Sequence, residues 1–257
     1  MTQTDRRTFL IQKLLDEQTQ YKGLQIPRDV ADQKKMLRSL LNIRRPKKIG
    51  EDFLAVQDEY LREETAVKGI TDLADLSPLP DGLYLWRGDI TTLRCGAIVN
   101  AANSGMTGCY QPCHNCIDNC IHTYAGVQLR LACAEIMAGQ GYGEPTGQAK
   151  LTPAYNLPCR YVIHTVGPIV QGVLSQRHCG QLASCYRSCL ELADKNCLDS
   201  IAFCCISTGV FMFPNERAAE IAVQTVKQYK AETGSTIKVI FNVFKEQDER
   251  IYRKLLG

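Results

Sequence analysis

Residues 109–120 of this chain concentrate side chains that bind metal ions. Four cysteines surround a single histidine there, in the order Cys109, Cys113, His114, Cys116 and Cys120. Cysteine thiolates and imidazole nitrogens are the ligands that zinc prefers in proteins. The composition of this segment therefore predicts a metal site. The alternative is that its cysteines pack as small buried hydrophobic residues and bind nothing.

The other cysteines have different surroundings. The whole chain of 257 residues has 13 cysteines, and those at positions 185, 189, 204 and 205 lie in apolar patterns typical of a core. An odd number of cysteines in a chain of this length, with no secretory signal expected at its charged N-terminus, argues against an extracellular disulfide scaffold. We therefore expect reduced thiols and a cytoplasmic location.

The charge and hydropathy of the chain argue against two classes of partner. The formal net charge is only +3. The basic run at residues 44–48, around Pro46, is interpreted as a solvated loop, so nucleic-acid binding is not expected. No stretch of about 18 apolar residues exists, so no membrane-spanning helix is expected.

The elements that position the residues of segment 109–120 are alternating strands and helices, which begin after Gly82. Strands are predicted at 83–86, 97–100, 161–166, 200–206 and 236–244, and helices at about 117–138, at 182–193, after Pro214 and at 248–256. This alternation predicts a three-layer α/β sandwich with a mixed or largely parallel sheet. Ligands of such sheets bind beyond the carboxyl ends of the strands, which here means the loops after Asn100 and Ile206.

The first 75 residues carry a helical pattern and no strand-like run. Apolar residues recur with helical spacing in three segments, and Pro27 and Pro46 mark helix boundaries. The sequence LADLSPLPDG, with two prolines and a glycine, is interpreted as a linker. We therefore expect a helical N-terminal extension over residues 1–75 and an α/β domain over residues 76–257. We favour a structural cover as the role of this extension. The alternatives are that it shapes the substrate entrance or recruits a partner.

Five segments stand out at the ends of the predicted elements. They are GDIT at 88–91, AIVNAANSGMTGC at 97–109, CIDNCIHTYAG at 116–126, YVIHTVGP at 161–168 and ISTGVFMFP at 206–214. In this order and spacing they resemble the macrodomain family, and its MacroD-like branch in particular, over about residues 82–244. The resemblance implies an α/β/α macrodomain sandwich with a mixed sheet that binds ADP-ribose.

The loop after NAAN departs from the common pattern of that branch. MacroD-like proteins have a glycine-rich run there, whereas this chain has GCYQPCHNCIDN at residues 108–119. This substitution resembles the zinc-containing macrodomains of microbes. The resemblance implies that Cys109, His114 and Cys116 hold Zn2+ beside the distal ribose, with Cys113 and Cys120 outside the matched motif.

The spacing C-x4-H-x-C can bring two thiolates and one imidazole together from a single short loop. Three protein ligands with an open fourth position are the arrangement of a catalytic zinc, where a bound water or substrate oxygen is polarised. A closed structural site, with Cys113 or Cys120 as the fourth ligand, is the alternative.

Asn103 and Asp118 are the catalytic candidates. The resemblance implies that both residues lie at the distal ribose. Asp118 would activate the attacking water or, if the metal activates the water, would orient it. The local alternatives are a turn role for Asn103 and helix capping for Asp118. Asn119 stands where the family has glycine and is expected to touch substrate. Asn100 is expected to secure the loop through hydrogen bonds to the backbone.

The nucleotide end of the ligand has its own candidates. The resemblance implies that Asp89 accepts a hydrogen bond from the adenine amino group, with Ile90 beside it; the alternative for Asp89 is an Asx turn. No P-loop lysine is present, so backbone N–H groups are expected to cradle the diphosphate. The loop residues assigned to substrate are Ser207, Thr208, Gly209, Val210 and Phe211. The ring of Phe211 or Phe213 is expected to stack along the ribose. The alternative is that both rings pack under the loop.

Two histidines are given lesser roles. His164 alternates with apolar neighbours on a strand and is interpreted as a satisfied core histidine. His122, one turn beyond Asp118, is expected on the same side of the helix and behind it.

These assignments indicate a zinc-dependent hydrolase that releases ADP-ribose from modified proteins. The rival hypotheses are a module that binds ADP-ribose without chemistry, a deacetylase of O-acetyl-ADP-ribose, and a protein whose zinc only pins the loop. The resemblance implies an ADP-ribosylated protein as substrate, with a lipoyl-carrier protein as a candidate, and a sirtuin-like ADP-ribosyltransferase as functional partner. The modified amino acid and the oligomeric state stay open.

Overall fold

The computed structural model describes residues 1–257. Its helices are α1 (Gln3–Asp16), α2 (Val30–Ile43), α3 (Glu51–Lys68), α4 (Ile117–Ala125), α5 (Val127–Gln140), α6 (Gln176–Lys195), α7 (Asn215–Thr233) and α8 (Glu246–Leu256). Its strands are β1 (Thr71–Asp72), β2 (Leu83–Arg87), β3 (Leu93–Arg94), β4 (Ala97–Ala102), β5 (Ala149–Pro153), β6 (Tyr161–Val166), β7 (Ser200–Phe203) and β8 (Lys238–Val243). No helix is both long and apolar enough to cross a membrane.

A six-stranded mixed sheet forms the centre of the fold. The strand order is β2-β8-β7-β4-β6-β5, and every pair is parallel except the antiparallel pair of β5 with β6 at one edge. The inner strands are apolar along nearly their whole length because helices cover both faces of the sheet. The predicted three-layer α/β/α architecture with a mixed sheet is confirmed.

The parallel arrangement brings the functional loops to one edge of the sheet. Strands β2, β8, β7, β4 and β6 run in the same direction, so their carboxyl ends lie side by side. The residues that follow these ends include Asp89, Phe244, Ser207 and Asn103. Ligand-binding sites of open α/β sheets lie at this edge.

Four details of the predicted elements are wrong. The single helix at 117–138 is two helices, α4 and α5, that meet at Gly126. The strand at 200–206 ends at Phe203, and β4 runs on to Ala102. Strand β5 was not expected, because its partly exposed residues, AKLTP, include a lysine and a proline that suit only a sheet edge.

The N-terminal helices have a hydrophobic cluster of their own. Helices α1, α2 and α3 bury mainly leucines against one another, with Leu10, Ile11, Leu37, Phe53 and Leu61 among the deepest. The connecting strand β1 pairs in parallel with β3, which joins this part of the chain to the sheet domain. The three predicted helices are therefore present. The division into residues 1–75 and 76–257 stays a prediction.

The break between α4 and α5 depends on the backbone of Gly126, which has φ 99° and ψ 174°. A Cβ atom built there would lie 2.6 Å from Gln57 Nε2, 2.6 Å from Gln128 Oε1 and 3.1 Å from Asn156 Nδ2. Only glycine adopts this region of backbone space without strain. The position therefore requires glycine for both its conformation and its space.

We expect Gly126→Ala to lower the free energy of unfolding by about 1–3 kcal/mol, because alanine is strained in this region of backbone space. Gly139→Ala is the matched control, since Gly139 lies in α5 with nothing within 4 Å of an added Cβ. Alanine there should stabilise the protein by about 0.5–1 kcal/mol through helix propensity. Urea unfolding measures both variants, and equal stability of the two would contradict this account of the helix break.

Candidate active site

Asp118 is a buried carboxylate in the first turn of α4, with 5% of its surface exposed. Its Oδ1 accepts a hydrogen bond of 2.8 Å from Asn100 Nδ2, and its Oδ2 accepts one of 3.2 Å from Asn103 Nδ2. Burial raises the pKa of Asp118 to about 6, and the Asn100 amide and the charge of Arg130 oppose that rise. The carboxyl group is therefore mostly ionised at pH 7 and held in one orientation.

The sulfur of Cys116, rather than Asp118, caps α4. Helix α4 begins at Ile117, and Cys116 Sγ accepts a hydrogen bond of 3.4 Å from the Asn119 N–H. The capping alternative for Asp118 is therefore wrong. Its carboxylate bonds instead to amides from the end of β4 and the turn that follows, which makes it available to a ligand at that strand end.

A chain of buried hydrogen bonds holds Asn100 in place behind Asp118. Asn100 Nδ2 lies 3.1 Å from His164 Nδ1, and His164 Nε2 lies 2.9 Å from Thr152 Oγ1. Burial lowers the pKa of His164 to about 3, so its ring is neutral. The interpretation of His164 as a satisfied core histidine is confirmed. The expectation that Asn100 bonds to the backbone is wrong, because its amide bonds to two side chains.

Asn103 combines a turn role with a site role. Its Oδ1 accepts a hydrogen bond of 2.9 Å from the Gly105 N–H, and its Nδ2 donates to the Gly108 carbonyl at 3.2 Å as well as to Asp118. The same side chain thus shapes the loop after β4 and orients the carboxylate. Asn103 is only partly buried, which leaves part of its surface open to a ligand.

His122 lies behind Asp118, on the side of α4 that the spacing predicts. Its Nε2 is 3.6 Å from Asp118 Oδ1, and neither ring nitrogen has a hydrogen-bond partner. Burial lowers the pKa of His122 well below its usual range, so the ring is neutral. A neutral ring beside the carboxylate adds no ion pair.

The predicted metal ligands lie together at the same strand end. One ligand atom each from Cys109, His114 and Cys116 lies within 4.8 Å of the other two, and Cys109 Sγ is 3.7 Å from His114 Nδ1. All three residues are partly buried. Two sulfurs and a nitrogen at this separation can ligate one metal ion.

The other two cysteines of the segment point elsewhere. Cys113 Sγ lies 3.3 Å from Ser39 Oγ and 3.5 Å from the Lys35 carbonyl, and Cys120 Sγ lies 3.6 Å from Arg38 Nη2. Both sulfurs therefore face helix α2. Neither belongs to the cluster, so the geometry favours three protein ligands over a closed site with four.

The chemistry of this donor set fits a cation. Burial raises the pKa of the Cys116 thiol to about 12, and the Asn119 N–H opposes the rise only in part. A thiolate at this depth requires a positive charge beside its sulfur. Zinc supplies that charge and prefers thiolate and imidazole ligands.

The loop after β7 offers unpaired backbone donors. The N–H groups of Gly209, Val210 and Phe211 donate to no carbonyl within the chain. Gly209 and Val210 are exposed, whereas the ring of Phe213 is buried under the loop. Adjacent free N–H groups at a strand end suit the oxygens of a diphosphate. Phe211, which is only partly buried, is the one of the two rings that a ligand can reach.

Ser207 and Thr208 support this loop from inside. Ser207 has a positive φ of 66°, and its Oγ is buried without a partner. An added Cβ at Gly167, after β6, would lie 2.1 Å from that Oγ, so glycine is required where the two loops meet. Thr208 Oγ1 donates to the Cys205 carbonyl at 3.0 Å.

Asp89 both closes a turn and keeps an oxygen for a ligand. Its Oδ1 accepts from the Thr91 N–H at 3.0 Å and from Thr91 Oγ1 at 2.6 Å, which is the predicted Asx turn. Its Oδ2 accepts only from Lys68 Nζ, at 3.2 Å, and retains free accepting capacity. Ile90 is buried, with 2% of its surface exposed, and its assignment to the ligand stays a prediction.

Two residues near the carboxyl edge of the sheet have surroundings that sequence analysis did not anticipate. Asn119 is fully buried, and its Nδ2 donates to the carbonyls of Gln111, at 2.9 Å, and Cys109, at 3.3 Å. Its amide braces the cysteine loop and is committed there. Phe244 follows β8 with 77% of its surface exposed, next to the strand that precedes Asp89. An aromatic residue directly after a buried strand is the sequence signal that could have marked Phe244 as a candidate for ligand contact.

Comparisons with known proteins show the family to which this chain is related. The family model of the Macro domain matches residues 99–222. The chain is 60% identical over 261 residues to the protein-ADP-ribose hydrolase of Treponema medium, with 100% of both chains covered. It is 42% identical over 242 residues to a probable bifunctional ADP-ribose hydrolase/ADP-ribosyltransferase of Fusarium oxysporum f. sp. cubense, covering 86% of this chain and 40% of that protein.

Among solved structures, the Trypanosoma brucei macrodomain in complex with ADP-ribose superposes with a TM-score of 0.65. The two chains are 31% identical, and the match covers 86% of this chain and 95% of the other. Similarity over the full length, together with the mixed sheet and the loops at its carboxyl edge, gives one conclusion. This chain belongs to the macrodomain family.

Proposed function

We propose that this protein is a hydrolase that releases ADP-ribose from modified proteins. The observation that carries the proposal is the buried Asp118 carboxylate, which two asparagine amides orient beside the Cys109, His114 and Cys116 cluster. A module that only binds ADP-ribose needs neither a buried carboxylate nor a group of metal ligands. The relative that matches the whole chain at 60% identity is named a protein-ADP-ribose hydrolase.

The ligand lies along the carboxyl edge of the sheet in this proposal. Asp89 Oδ2 accepts from the adenine amino group, and the ring of Phe244 stacks on the base. The free N–H groups at residues 209–211 donate to the diphosphate, and Phe211 lies against the distal ribose. This order leaves the distal ribose at Asn103 and Asp118, where the Cys-His-Cys cluster also lies.

The residues of this chain prepare the bond between ribose C1″ and the protein side chain for attack by water. Asn100 and Asn103 each donate to one oxygen of Asp118, which fixes the direction of its remaining lone pairs. The ionised carboxylate accepts a proton from the attacking water as the oxygen bonds to C1″. The bond from C1″ to the side chain breaks with its electron pair on the leaving side chain, which takes up the proton that Asp118 accepted. Fixed orientation of water and substrate supplies much of the rate acceleration.

Zn2+ is the proposed cofactor, held by Cys109, His114 and Cys116, as in the zinc-containing branch of the family. When bound with an open position, it polarises an oxygen of water or of the substrate. Three chain ligands would leave a coordination position for that oxygen, because the sulfurs of Cys113 and Cys120 face α2 and would not bind the metal. Three ligand atoms within 4.8 Å of one another support the assignment.

The substrate and partners are proposed at the level of class. The substrate is an ADP-ribosylated protein in the cytoplasm, with a lipoyl-carrier protein as the candidate that the family resemblance implies. A sirtuin-like ADP-ribosyltransferase is the proposed source of the modification. A relative named as both hydrolase and ADP-ribosyltransferase supports such a functional pairing.

The adenine assignment is tested with Asp89→Asn. This variant keeps an oxygen for the Thr91 turn but places a donor where the adenine amino group needs an acceptor. We expect ADP-ribose binding, of about −8 kcal/mol at micromolar affinity, to weaken by about 1–3 kcal/mol in calorimetry. Lys68→Met removes the ion pair with Asp89 and the cation–π contact with the Tyr124 ring but no acceptor for adenine, so its effect on ADP-ribose binding should stay within about 1 kcal/mol. Unchanged affinity in Asp89→Asn would remove this residue from the adenine site.

The diphosphate assignment is tested with Gly209→Val. An added side chain at Gly209 meets nothing within 4 Å, so the melting temperature should not change. The side chain would instead block the close approach of phosphate to the backbone. We expect ADP-ribose binding to weaken by about 1.5–3 kcal/mol, the contribution of a hydrogen bond to a charged group. Gly209→Ala should give a smaller loss, and normal binding by Gly209→Val would show that the loop is misassigned.

The metal assignment is tested with two cysteine variants. Purified protein should contain about one zinc per chain. Cys116→Ala should lose zinc and most turnover of an ADP-ribosylated protein, yet keep much of its ADP-ribose affinity, because the adenine and diphosphate contacts lie away from the cluster. Cys113→Ala is the matched control in the same loop and should keep both zinc and turnover. Metal analysis, calorimetry and release of ADP-ribose are measured on the same preparations.

Two outcomes would contradict parts of this assignment. Full turnover by metal-free Cys116→Ala would remove the metal from the reaction and leave Asp118 as the main catalytic group. A large fall in melting temperature of Cys116→Ala, together with lost ADP-ribose binding, would identify a structural metal, since its binding would then be coupled to folding.

A further inference from the structure

Helix α2 of the N-terminal region contacts the segment that carries the metal ligands. We call residues 109–116 the metal loop. Ser39 Oγ lies 3.3 Å from Cys113 Sγ, and Arg38 Nη2 donates to the His114 carbonyl at 2.7 Å. These contacts join positions 74 and 76 apart in the sequence. The N-terminal helices therefore reach the loop itself, in addition to any surface they cover.

Asn42 makes the most specific of these contacts. It is buried, with 1% of its surface exposed, and its Oδ1 accepts a hydrogen bond of 2.9 Å from the Cys113 N–H. Its Nδ2 donates to Thr123 Oγ1 at 2.9 Å, and Thr123 Oγ1 donates to the Asn119 carbonyl at 2.7 Å. One amide thus ties the loop and helix α4 to each other through α2.

Asn42 bonds to a residue, Cys113, whose backbone conformation is unfavourable. Cys113 has a φ of 54°, in the left-handed region that side chains other than glycine rarely adopt. The chain reverses there, between Cys109 and the pair His114 and Cys116. A hydrogen bond to the Cys113 N–H stabilises that conformation and so fixes where the following ligands lie.

Two arginines secure the other side of the contact. Arg38 Nη2 also lies 3.1 Å from Asn119 Oδ1, the amide that braces the loop. Arg130 of α5 donates through Nη1 to the carbonyls of Asn42, at 2.5 Å, and Arg44, at 2.7 Å. Its Nη2 lies 3.5 Å from the Cys109 carbonyl. The end of α2 and the start of the metal loop therefore share one buried guanidinium.

We propose that α2 positions the metal loop, and that Asn42 is its main positioning residue for the three metal ligands. This inference rests on the proposed function only in its consequence for turnover. The metal-binding part concerns zinc affinity and holds or fails by itself. Groups that orient metal ligands from outside the coordination sphere commonly change metal affinity by about 10–100-fold.

The test compares Asn42→Leu with Gln57→Leu. Gln57 is the matched control because it is also a buried polar residue of the N-terminal helices that bonds to the sheet domain. Its Oε1 accepts from the Val127 N–H at 3.0 Å, and its Nε2 donates to Gln128 at 2.7 Å, with no contact to the metal loop. Zinc affinity is measured by competition with a chromophoric chelator, alongside melting temperature, ADP-ribose affinity, kcat and KM.

We expect Asn42→Leu to raise the Kd for zinc by about tenfold or more, whereas Gln57→Leu leaves it unchanged at a similar loss of melting temperature. ADP-ribose affinity should be the same in both, and the loss of turnover in Asn42→Leu should fall on kcat. Asn42→Asp keeps an oxygen for the Cys113 N–H and should recover most of the zinc affinity. It also serves as the test if Asn42→Leu does not fold.

Equal zinc affinity in Asn42→Leu and Gln57→Leu would overturn the proposal and leave α2 as a structural cover. The proposal would also be overturned if the zinc affinity of every Asn42 variant, including Asn42→Asp, falls only in proportion to its melting temperature. If zinc affinity shifts as expected while the unmodified protein releases no ADP-ribose, the positioning role holds and the proposed hydrolase function fails.

Discussion

A carboxylate buried at the start of a helix requires hydrogen-bond donors, and the rest of this site is built around supplying them to Asp118. Asn100 lies on β4 and Asn103 lies in the turn after it, so the sheet sets the direction of one amide and the turn sets that of the other. His164 and Thr152, on the two strands beyond, hold Asn100 in turn. The position of the carboxylate therefore depends on both the sheet and the loop that follows β4.

The N-terminal helices touch both ends of the site. Lys68, the last residue of α3, contacts Asp89, and residues 38–42 of α2 contact the metal loop. A loop that carries three thiols, an imidazole and a residue with positive φ has few internal hydrogen bonds to hold it. Contacts with α2 and Asn119 supply that order from outside.

Local patterns predicted five strands of the central sheet and most helices, because each depends on residues close in sequence. The metal ligands came from the family resemblance of the loop and stay a prediction. The break at Gly126 was missed because the apolar stripe of α4 continues into α5, and one glycine does not interrupt that periodicity. The partners of Asn100 and the bracing role of Asn119 depend on packing between elements. The bond from Asn42 to Cys113, 71 positions apart, leaves no periodic trace at all. Phe244 could have been identified as an aromatic residue at a strand end.

The central claim is that Cys109, His114 and Cys116 hold a metal with an open position beside the ribose site. X-ray absorption at the zinc edge, recorded on the purified protein before and after addition of ADP-ribose, tests it most directly. The account predicts two sulfur ligands and one imidazole nitrogen in both spectra, with ADP-ribose changing only the oxygen coordination. A spectrum that requires three or more sulfur ligands, or one that ADP-ribose leaves wholly unchanged, would contradict it.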